Sequence, residues 1–484
     1  MRKELFVVGI IAALTVAILF SYSSYSGDKN IQFSPQTKES AIESNPVAPP
    51  QSLDTLSVWN RPPSIDQGQP LPERATSLPN FTSICTLQDL DNIRNNLAGN
   101  YKQTCNIDLS GYNWIPIGNL IFNYNTQTYY GDPFTGVFDG NGYTISNLHY
   151  DNPLEDGVGL FAYSSGLIKN VKIVNPNINA YHLVGAISGQ DFGGTILNSK
   201  VIGGLIKGNY RVGGLIGSTT ATTISYSSSS ARVLSTGFQG GGLIGVSGYF
   251  GNITNSHASG NVSNNDSVGG LVGGSFDTDI INSSAKGTVV GRNYVGGLAG
   301  GFVRYISVSD PIIVNSSATG NVTGNAIVGG LVGGGWYGKI TKSFASGAVQ
   351  ANSNVGGLIG EKVKGYVSDS YANGSVNGTY GAGGFSGRLW DYIVINSYST
   401  GKVTGQTSKG GFIGYVGFVN SNSTILSSYW NIQTSGLNIS AGGEGRTSAQ
   451  MTSVPRPNNT YVNWDFTNVW NQINGDYPKL RWQS

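Results

Sequence analysis

The stretch Val268-Gly269-Gly270-Leu271-Val272-Gly273 recurs with small changes through the second half of this 484-residue chain. Each copy keeps a Leu or a Phe after two glycines, and these residues are Leu215, Leu243, Leu271, Leu298, Leu331, Leu358, Phe385 and Phe412. The spacing is 27 or 28 residues, apart from one insertion between Leu298 and Leu331. A fixed period of this length is the sequence signature of a repeat architecture.

A second block keeps the same period, since an Ile or a Val stands three residues before a Ser. The serines are Ser199, Ser227, Ser256, Ser283, Ser316, Ser343, Ser370, Ser397 and Ser428. A short Gly-x-Val block follows, as at Gly260-Asn261-Val262. Three β-prone segments joined by Gly, Ser and Asn turns fit one coil of a three-sided solenoid. The sequence predicts an all-β fold, a right-handed parallel β-helix of ~27-residue three-strand coils stacked ~4.8 Å apart.

The residue types of the blocks fit the inside of such a coil. Stacked leucines would form one apolar column, buried at roughly 25 cal/mol per Å². A Gly-Gly corner with φ above zero would let Val268 and Leu271 both point inward. We expect the aligned Ser and Asn side chains to bridge successive coils. A nucleophile is not repeated nine times, so the serines are interpreted as structural.

Composition excludes several classes of protein. Charged residues make up 11% of the chain and the formal net charge is +2, so no basic stripe favours nucleic acid as a partner. The 71 glycines follow no Gly-X-Y triplet, which excludes collagen. The wealth of Val, Ile, Thr and Tyr predicts a folded chain of strands and turns rather than a disordered one.

The N-terminus has the pattern of a targeting segment. Arg2 and Lys3 precede an apolar run from Leu5 to Phe20. Residues 1–27 are therefore predicted to be either a cleaved signal or a retained membrane anchor, with the body outside the cell in both cases. Residues 28–80 are rich in proline and predict a flexible linker.

The folded body divides into three predicted parts. Residues 81–150 form an N-terminal cap and the first coils, residues 151–430 the repeat solenoid, and residues 431–484 a C-terminal cap. Leu87, Leu90 and Ile93 recur at helical spacing, and Thr86 with Asp89 resembles a capping box. A small helix from Thr86 to Leu97 would cover the open end of the first coil.

Cys85 and Cys105 are the two cysteines of the chain. In an exported protein they would form a disulfide, which would stabilise the fold by about 3 kcal/mol. The alternative is a pair of free buried thiols.

The repeat blocks resemble those of the GLUG-motif repeat proteins, found on bacterial and archaeal surfaces and in some immunoglobulin A peptidases. The resemblance rests on the Gly-Gly-Leu/Phe-x-Gly block, its Ile-x-Asn-Ser companion, the segments 114–118 and 134–145, and the ending at 464–480. It covers about residues 81 to 484. The resemblance implies an extracellular β-solenoid with an adhesin-like role, and it does not imply an activity. The metalloprotease motif His-Glu-x-x-His of the peptidases is absent from this sequence.

The search for chemistry yields little. His149, His182 and His257 lack metal-ligand spacing, and no catalytic, cofactor-binding or metal residues are predicted. Many parallel β-helices nevertheless cleave polysaccharides with clustered carboxylates. The residues that would serve an alternative function as a polysaccharide lyase or hydrolase are Asp277, Asp279, Arg304 and Asp310. The competing interpretation is that they are turn residues and a solvated loop.

Aromatic residues that follow the glycine blocks give the predicted contact surface. The candidate ligand-contact strip is Tyr249, Phe276, Tyr305, Trp336, Tyr337, Trp390 and Tyr392. Exposed aromatic faces suit sugar rings or a partner protein, whereas a ladder packed against its own turns is the structural alternative. We expect a non-enzymatic, secreted or membrane-anchored protein of the cell surface, active in adhesion or as a structural envelope protein. Its expected partners are surface glycans or envelope proteins. Asn-x-Ser/Thr sequons such as Asn252 and Asn373 would permit glycosylation.

Overall fold

The computed structural model describes residues 80–123, 128–305, 307, 309–417 and 423–483. The chain divides into two units, Met1–Asn80 with Asn125–Thr128, and Phe81–Tyr124 with Tyr129–Ser484. The predicted targeting segment 1–27 and residues 28–79 of the predicted linker lie outside the described residues. The second unit is a parallel β-solenoid, which confirms the predicted fold class.

Three parallel sheets, A, B and C, form its faces. Sheet A has 21 strands, which in chain order are Thr82–Ile84, Asn100–Gln103, Val137–Asp139, Phe161–Ser164, Leu167–Lys169, Ser188–Phe192, Thr195–Leu197, Ile216–Thr220, Thr223–Ser225, Ile244–Gly248, Asn252–Thr254, Val272–Phe276, Asp279–Ile281, Ala299–Val303, Ile312–Val314, Val332–Trp336, Lys339–Thr341, Ile359–Ser368, Ser386–Ile395, Ile413–Val416 and Thr424–Leu426.

Sheets B and C complete each coil. The 13 strands of sheet B are Ile107–Asp108, Thr144–Ser146, Lys172–Val174, Lys200–Ile202, Ser228–Ser229, His257–Ala258, Ser284–Ala285, Ser317–Ala318, Phe344–Ala345, Tyr371–Ala372, Tyr398–Ser399, Tyr429–Asn431 and Glu444–Arg446. The 16 strands of sheet C are His149–Asp151, Asn177–Asn179, His182–Val184, Leu205–Gly208, Tyr210–Gly213, Arg232–Ser235, Phe238–Gly241, Val262–Ser263, Asp266–Gly269, Val289–Val290, Asn293–Gly296, Val322–Thr323, Ala326–Gly329, Val349–Gly356, Val376–Gly383 and Val403–Gly410.

A representative coil shows how the three faces are built. Sheet A contributes Ile216–Thr220 and Thr223–Ser225, sheet B contributes Ser228–Ser229, and sheet C contributes Arg232–Ser235 and Phe238–Gly241. The predicted three sides are present. The coils between residues 161 and 329 nevertheless hold five short strands each, because a bend divides the strand segments of sheets A and C. The coils between residues 359 and 410 hold the predicted three, as in Ile359–Ser368, Tyr371–Ala372 and Val376–Gly383.

Short helices and hairpins lie outside the three sheets. Among the described residues, the α-helices are Leu87–Asp91, Ile432–Ser435 and Ser448–Thr452, and the 3-10 helices are Asn92–Asn95 and Arg481–Gln483. Strands Ile121–Asn123 and Thr128–Tyr130 form one two-stranded sheet, and strands Trp470–Asn471 and Lys479–Leu480 form an antiparallel one.

The N-terminal helix begins with the predicted capping box. The Asp89 N–H donates to the Thr86 hydroxyl at 3.1 Å, and the Thr86 N–H donates to the Asp89 carboxylate at 2.9 Å. The helical segment ends as a 3-10 turn at Asn95, close to the predicted end at Leu97. Cys85 and Cys105 form the predicted disulfide, which ties the start of this segment to the next coil.

The repeated leucines form the predicted continuous column. The Leu215 N–H donates to the Leu243 carbonyl at 2.8 Å, and the same bond links Leu243 to Leu271 and Leu271 to Leu298 at 2.9 Å. All of these side chains are fully buried. Each coil therefore supplies both hydrogen bonds and apolar contacts to the next one, because equivalent residues lie above one another.

The Gly-Gly pair forms the predicted corner, here between sheets C and A, and Val212 and Leu215 both point inward. The reason differs from the expectation, because neither Gly213 nor Gly214 has a positive φ. Glycine is required for space. A Cβ on Gly213 would lie 2.0 Å from the Ile216 carbonyl oxygen, and one on Gly214 would lie 2.3 Å from the Gly242 carbonyl oxygen in the next coil.

The aligned serines bridge successive coils as predicted. The Ser227 N–H donates to the Ser256 Oγ at 3.2 Å, and the Ser256 N–H donates to the Ser283 Oγ at 3.1 Å. The Ser256 hydroxyl in turn donates to the Thr254 carbonyl at 2.8 Å. These hydroxyls satisfy backbone groups at a buried corner where the short strands of sheets A and B leave gaps in the ladder.

An asparagine ladder runs beside the serines at the same corner. The amide of Asn315 donates to Asn282 at 3.1 Å, and that of Asn282 donates to Asn255 at 3.3 Å. These residues have φ near 50°, a left-handed conformation that Asn tolerates better than most residues. The ladder stops at Lys342, which has φ 49°, and the buried Oδ1 of Asn315 has no hydrogen-bond partner among the described residues.

Lys342→Asn is therefore expected to raise the free energy of unfolding by about 1 to 2 kcal/mol. It would relieve the left-handed lysine and give the Asn315 oxygen a donor. Urea denaturation of the full chain measures the change. Lys339→Asn is the matched control, since it removes the same charge from an exposed strand position with no ladder partner. Equal midpoints for the two variants would contradict the prediction.

The C-terminal residues occupy two places on the solenoid. Residues 437–441 cover the last coil, where the Gly411 N–H donates to Ile439 and the Ala441 N–H donates to Ile413. Residues 448–483 lie against the outer face of sheet B, and Trp464 and Trp470 pack there against Tyr398. The predicted cap segment 431–484 thus covers a side of the solenoid as well as its end.

Candidate functional site

An aromatic column lies on the outer face of sheet A. Phe276 is in register with Val303, Trp336 with Val363, and Val363 with Trp390. The Arg304 N–H donates to the Trp336 carbonyl at 3.1 Å, which joins the two halves across the insertion. Aromatic and valine side chains therefore alternate along the column, and successive aromatic rings are two coils, roughly 10 Å, apart.

Strand alternation explains why these rings face outward. The preceding residue in each coil points inward, as Ser275, Phe302 and Lys362 do. Trp336 is 44% exposed, while Phe276 and Trp390 are half-buried. The column therefore presents three aromatic side chains on the outer face, separated by smaller valine side chains.

The other four residues of the predicted strip have different environments. Tyr249 and Tyr392 are buried, with exposed fractions of 7% and 0%, so their rings are not available to a ligand. Tyr305 and Tyr337 are half-buried, and Tyr305 packs on Tyr249 with ring centroids 6.0 Å apart. Three of the seven predicted residues, Phe276, Trp336 and Trp390, thus share one column on the outer face. For Tyr249 and Tyr392 the structural alternative applies, since their rings pack inside the protein.

Two arginines stack on aromatic rings beside this column. The Arg304 guanidinium lies 3.9 Å from the Tyr337 ring centroid and pairs with Asp310 at 2.7 Å. The Arg388 guanidinium lies 5.3 Å from the Trp390 ring centroid. Such cation–π contacts hold ring planes in fixed orientations and so favour a preorganised surface.

Arg388 also pairs with Glu361 at 3.5 Å. Burial raises the pKa of Glu361, and the neighbouring Arg388 opposes that rise. Arg388 and Glu361 therefore compensate each other's charge beside Trp390. The column itself consists of aromatic and valine side chains, which suits neutral ligands with apolar faces.

The four residues proposed for an enzymatic alternative all hold the inserted loop that interrupts the repeat. The Asp277 carboxylate accepts the N–H groups of Tyr305 and Ser307 at 2.8 and 3.2 Å. The Asp279 carboxylate accepts the Ile312 N–H at 3.0 Å, and burial raises its pKa. Both carboxylates anchor the two ends of the loop, while Arg304 and Asp310 pair inside it.

Two buried ionisable side chains were missed by sequence reasoning. Lys362 is fully buried, its Nζ donates to the Phe302 carbonyl at 2.7 Å, and burial lowers its pKa to about 7. The repeat could have revealed this burial, because Lys362 stands 27 residues before Leu389 and occupies the same inward-facing position one coil earlier.

Asp191 is the second of these buried groups. Ser164 and Thr222 both donate to its carboxylate at 2.6 Å. Burial raises its pKa to about 6, although these two hydrogen bonds oppose the rise. Asp191 belongs to an inward polar column that starts at Ser164 and continues through Thr219, Ser247 and Ser275, so its place in the repeat explains its burial.

The three histidines lie apart, in agreement with their spacing in the sequence. His182 is beside Asp156 and His257 is beside Ser284. Within the described ranges, no three His, Cys, Asp or Glu side chains are arranged to hold a metal ion. No helix in those ranges is long and apolar enough to cross a membrane, and the apolar run from Leu5 to Phe20 lies outside them.

Comparisons with known proteins support the resemblance noted from the sequence. Residues 208–234, 236–263 and 264–290 each match the model of the GLUG motif. Halomucin from Haloquadratum walsbyi is 32% identical over 122 residues, which is 23% of this chain. The match spans about 1% of the length of halomucin.

A solved structure is also similar to this chain. It is the crystal structure, at 1.30 Å resolution, of a protein from Bacteroides ovatus provisionally described as an immunoglobulin A1 protease. The match covers 84% of this chain and 93% of that one, with 16% identity and a TM-score of 0.23. The repeat assignment therefore rests on the GLUG motifs and on the solenoid itself.

Proposed function

We propose that this protein is a non-catalytic, cell-surface β-solenoid that binds neutral glycans through the aromatic column Phe276–Trp336–Trp390. The observation that carries the proposal is the register of the three rings on one exposed face, two coils apart. Sugar rings have apolar faces that stack on aromatic side chains. A repeated spacing suits a repeated ligand better than it suits a single small molecule.

An extracellular location is part of this proposal. The GLUG motifs and the halomucin match favour a surface protein, and the Cys85–Cys105 disulfide is typical of oxidising compartments. Adhesion is the role that we assign to the column. The absence of catalysis is proposed because Asp277 and Asp279 are used to hold the loop that contains Arg304 and Asp310.

The double variant Trp336→Ala/Trp390→Ala tests the column. We expect at least a tenfold loss of binding on an array of neutral glycans, with little change in melting temperature, because both residues lie on the outer surface. The matched control is Tyr130→Ala/Tyr380→Ala, which removes two exposed rings, 53% and 43% exposed, away from the column. Unchanged glycan binding by the tryptophan variant would refute the proposal, as would equal losses in both variants.

A further inference from the structure

The outer face of sheet B divides into a covered half and an open half. In the later coils its outward residues are Phe344, Tyr371, Tyr398 and Tyr429, stacked in register. Residues 448–483 cover these rings. The cover ends at Trp482, which packs against Phe344 with ring centroids 5.7 Å apart.

The open half of this face carries unpaired positive charge. Lys172 and Lys200 are directly opposite one another in register, roughly 4.8 Å apart along the stack, and both point outward. Like charges opposite each other in a sheet are unfavourable. Lys286 continues the positive surface three coils beyond Lys200, and the His257 ring lies in the coil between Ser228 and Ser284.

Negative charge is missing from the stretch that starts at Lys172, while the exposed Asp108 lies on the same face two coils earlier. The five consecutive segments that build it contain no Asp or Glu, and they are 170–176, 198–204, 226–230, 255–259 and 282–286. Within the described part of the chain, none of Lys172, Lys200 and Lys286 forms an ion pair. The pKa of His257 is lowered mainly by burial and further by the positive charge of the nearby Lys286.

Two adjoining depressions follow the same coils. The first has a volume of about 590 Å³ and is lined by Asn170, Asn198 and the two stacked lysines. The second has a volume of about 360 Å³ and is lined by serine hydroxyls together with His257 and Lys286. Ile202 borders both depressions and is 41% exposed, which provides an apolar surface between the polar groups.

An exposed aromatic ring stands at the edge of this groove. Tyr226 is 60% exposed and takes the place of an asparagine at the corner between Asn198 and Asn255. The groove thus combines cations, hydroxyl and amide groups and an aromatic face over five coils, which is about 19 Å along the stack. This length exceeds that of a single sugar or a single phosphate group.

We propose that the open half of sheet B binds an acidic polysaccharide, with Lys172 and Lys200 contacting its carboxylate or sulfate groups. Charge complementarity selects this occupant, because a polymer with regularly spaced anions would neutralise the stacked lysines. Hydroxyl and amide groups along the groove can exchange hydrogen bonds with sugar hydroxyls. The groove lies on a different face from the aromatic column, so this site does not depend on the proposed binding of neutral glycans.

The test compares the full chain with two double variants, using polygalacturonate as the acidic probe and dextran as the uncharged one. Lys172→Ser/Lys200→Ser is expected to weaken polygalacturonate binding at least tenfold, and serine is tolerated there because Ser228 stands at the same position in the next coil. The control Lys207→Ser/Lys339→Ser removes the same charge from exposed positions of sheets C and A. It is expected to bind as the wild type does.

Salt and competing polymers complete the test. Wild-type binding is expected to weaken as NaCl rises from 50 to 500 mM, because exposed charges are screened. Equal losses in the two double variants would overturn the proposal, since the binding would then follow net charge alone. Duplex DNA that binds as tightly as polygalacturonate would also overturn it, as would a loss confined to the Trp336→Ala/Trp390→Ala variant.

Discussion

Lys362→Met is expected to be more stable than the wild type at pH 6.5, by several kcal/mol, and to lose this advantage as the pH rises towards 10. The Lys362 side chain is fully buried and has no carboxylate partner within 4.0 Å among the described residues. At low pH the folded wild type must hold a charged ammonium there. Methionine has a similar length and no charge, so it removes this cost.

The direction of the pH effect follows from proton linkage. The pKa of Lys362 falls from 10.5 to about 7 on folding, so the unfolded chain binds more protons between these two values. The wild type therefore gains stability as the pH rises from 7 to 10.5 and loses it as the pH falls through 7. Each pH unit in this window contributes about 1.4 kcal/mol, or about 4 to 5 kcal/mol over the whole window.

The measurement is the difference in unfolding free energy between wild type and Lys362→Met, at each pH from 6.5 to 9.5. A difference isolates Lys362, because the tyrosines and the N-terminus titrate in both proteins. Lys364→Met is the matched control, since Lys364 is exposed and lies two residues further along the same strand. We expect a flat difference for the control. A flat difference for Lys362→Met as well would show that the buried amine keeps its ordinary pKa.

Asp191 has the opposite pH dependence in the same interior. Its folded pKa of about 6 lies above the unfolded value of 3.8, so the stability it contributes is present below pH 3.8 and is lost as the pH rises through 6. Between about pH 6 and 7 both buried side chains are charged, so their combined cost to the stability of the solenoid is largest in this range. Hydrogen bonds from Ser164 and Thr222 reduce that cost for Asp191, and the Phe302 carbonyl and ring, whose centroid lies 4.5 Å from Nζ, reduce it for Lys362.

The stacking of the repeats could be predicted because each coil is constrained by the coils on either side. Leu215, Leu243 and Leu271 keep one residue type at one spacing, and only a parallel stack places them in a single column. The division of the earlier coils into five strands could not be predicted. In sheet A it falls at left-handed bends such as Ala221 and Asp277, whose identities vary from coil to coil.

The candidate site, too, could be predicted only in part from the sequence. The period was enough to place Phe276, Trp336 and Trp390 in one column, but Tyr249 and Tyr392 are buried by contacts that differ between coils. The basic groove was missed because Lys172, Lys200 and Lys286 belong to separate repeats. The register of the strands in neighbouring coils is needed to show that these lysines share one face and that no acidic residue lies between them.

Replacement of Trp470 tests the fold-back of the C-terminal segment, which the sequence did not predict. Trp470 is fully buried, its ring centroid lies 4.5 Å from that of Trp464, and its Nε1 donates to Asp369 at 3.4 Å. Trp470→Ala is expected to cost about 3 to 5 kcal/mol, as truncation of a buried aromatic side chain does. The loss should be local, since among the described residues the segment meets the solenoid through a side-chain cluster on sheet B and through hydrogen bonds of side chains such as Tyr371, Tyr398 and Asn431.

Hydrogen exchange measures both the size and the place of this effect. In Trp470→Ala we expect amides of residues 461–481 to exchange about a hundredfold faster, because about 3 kcal/mol of local stability corresponds to that factor. Amides of the central leucine column should keep their protection. Trp336→Ala, which removes an exposed tryptophan, is the control and should leave both regions unchanged. Faster exchange throughout the leucine column would mean that the segment is an integral part of the solenoid rather than a cover laid on sheet B.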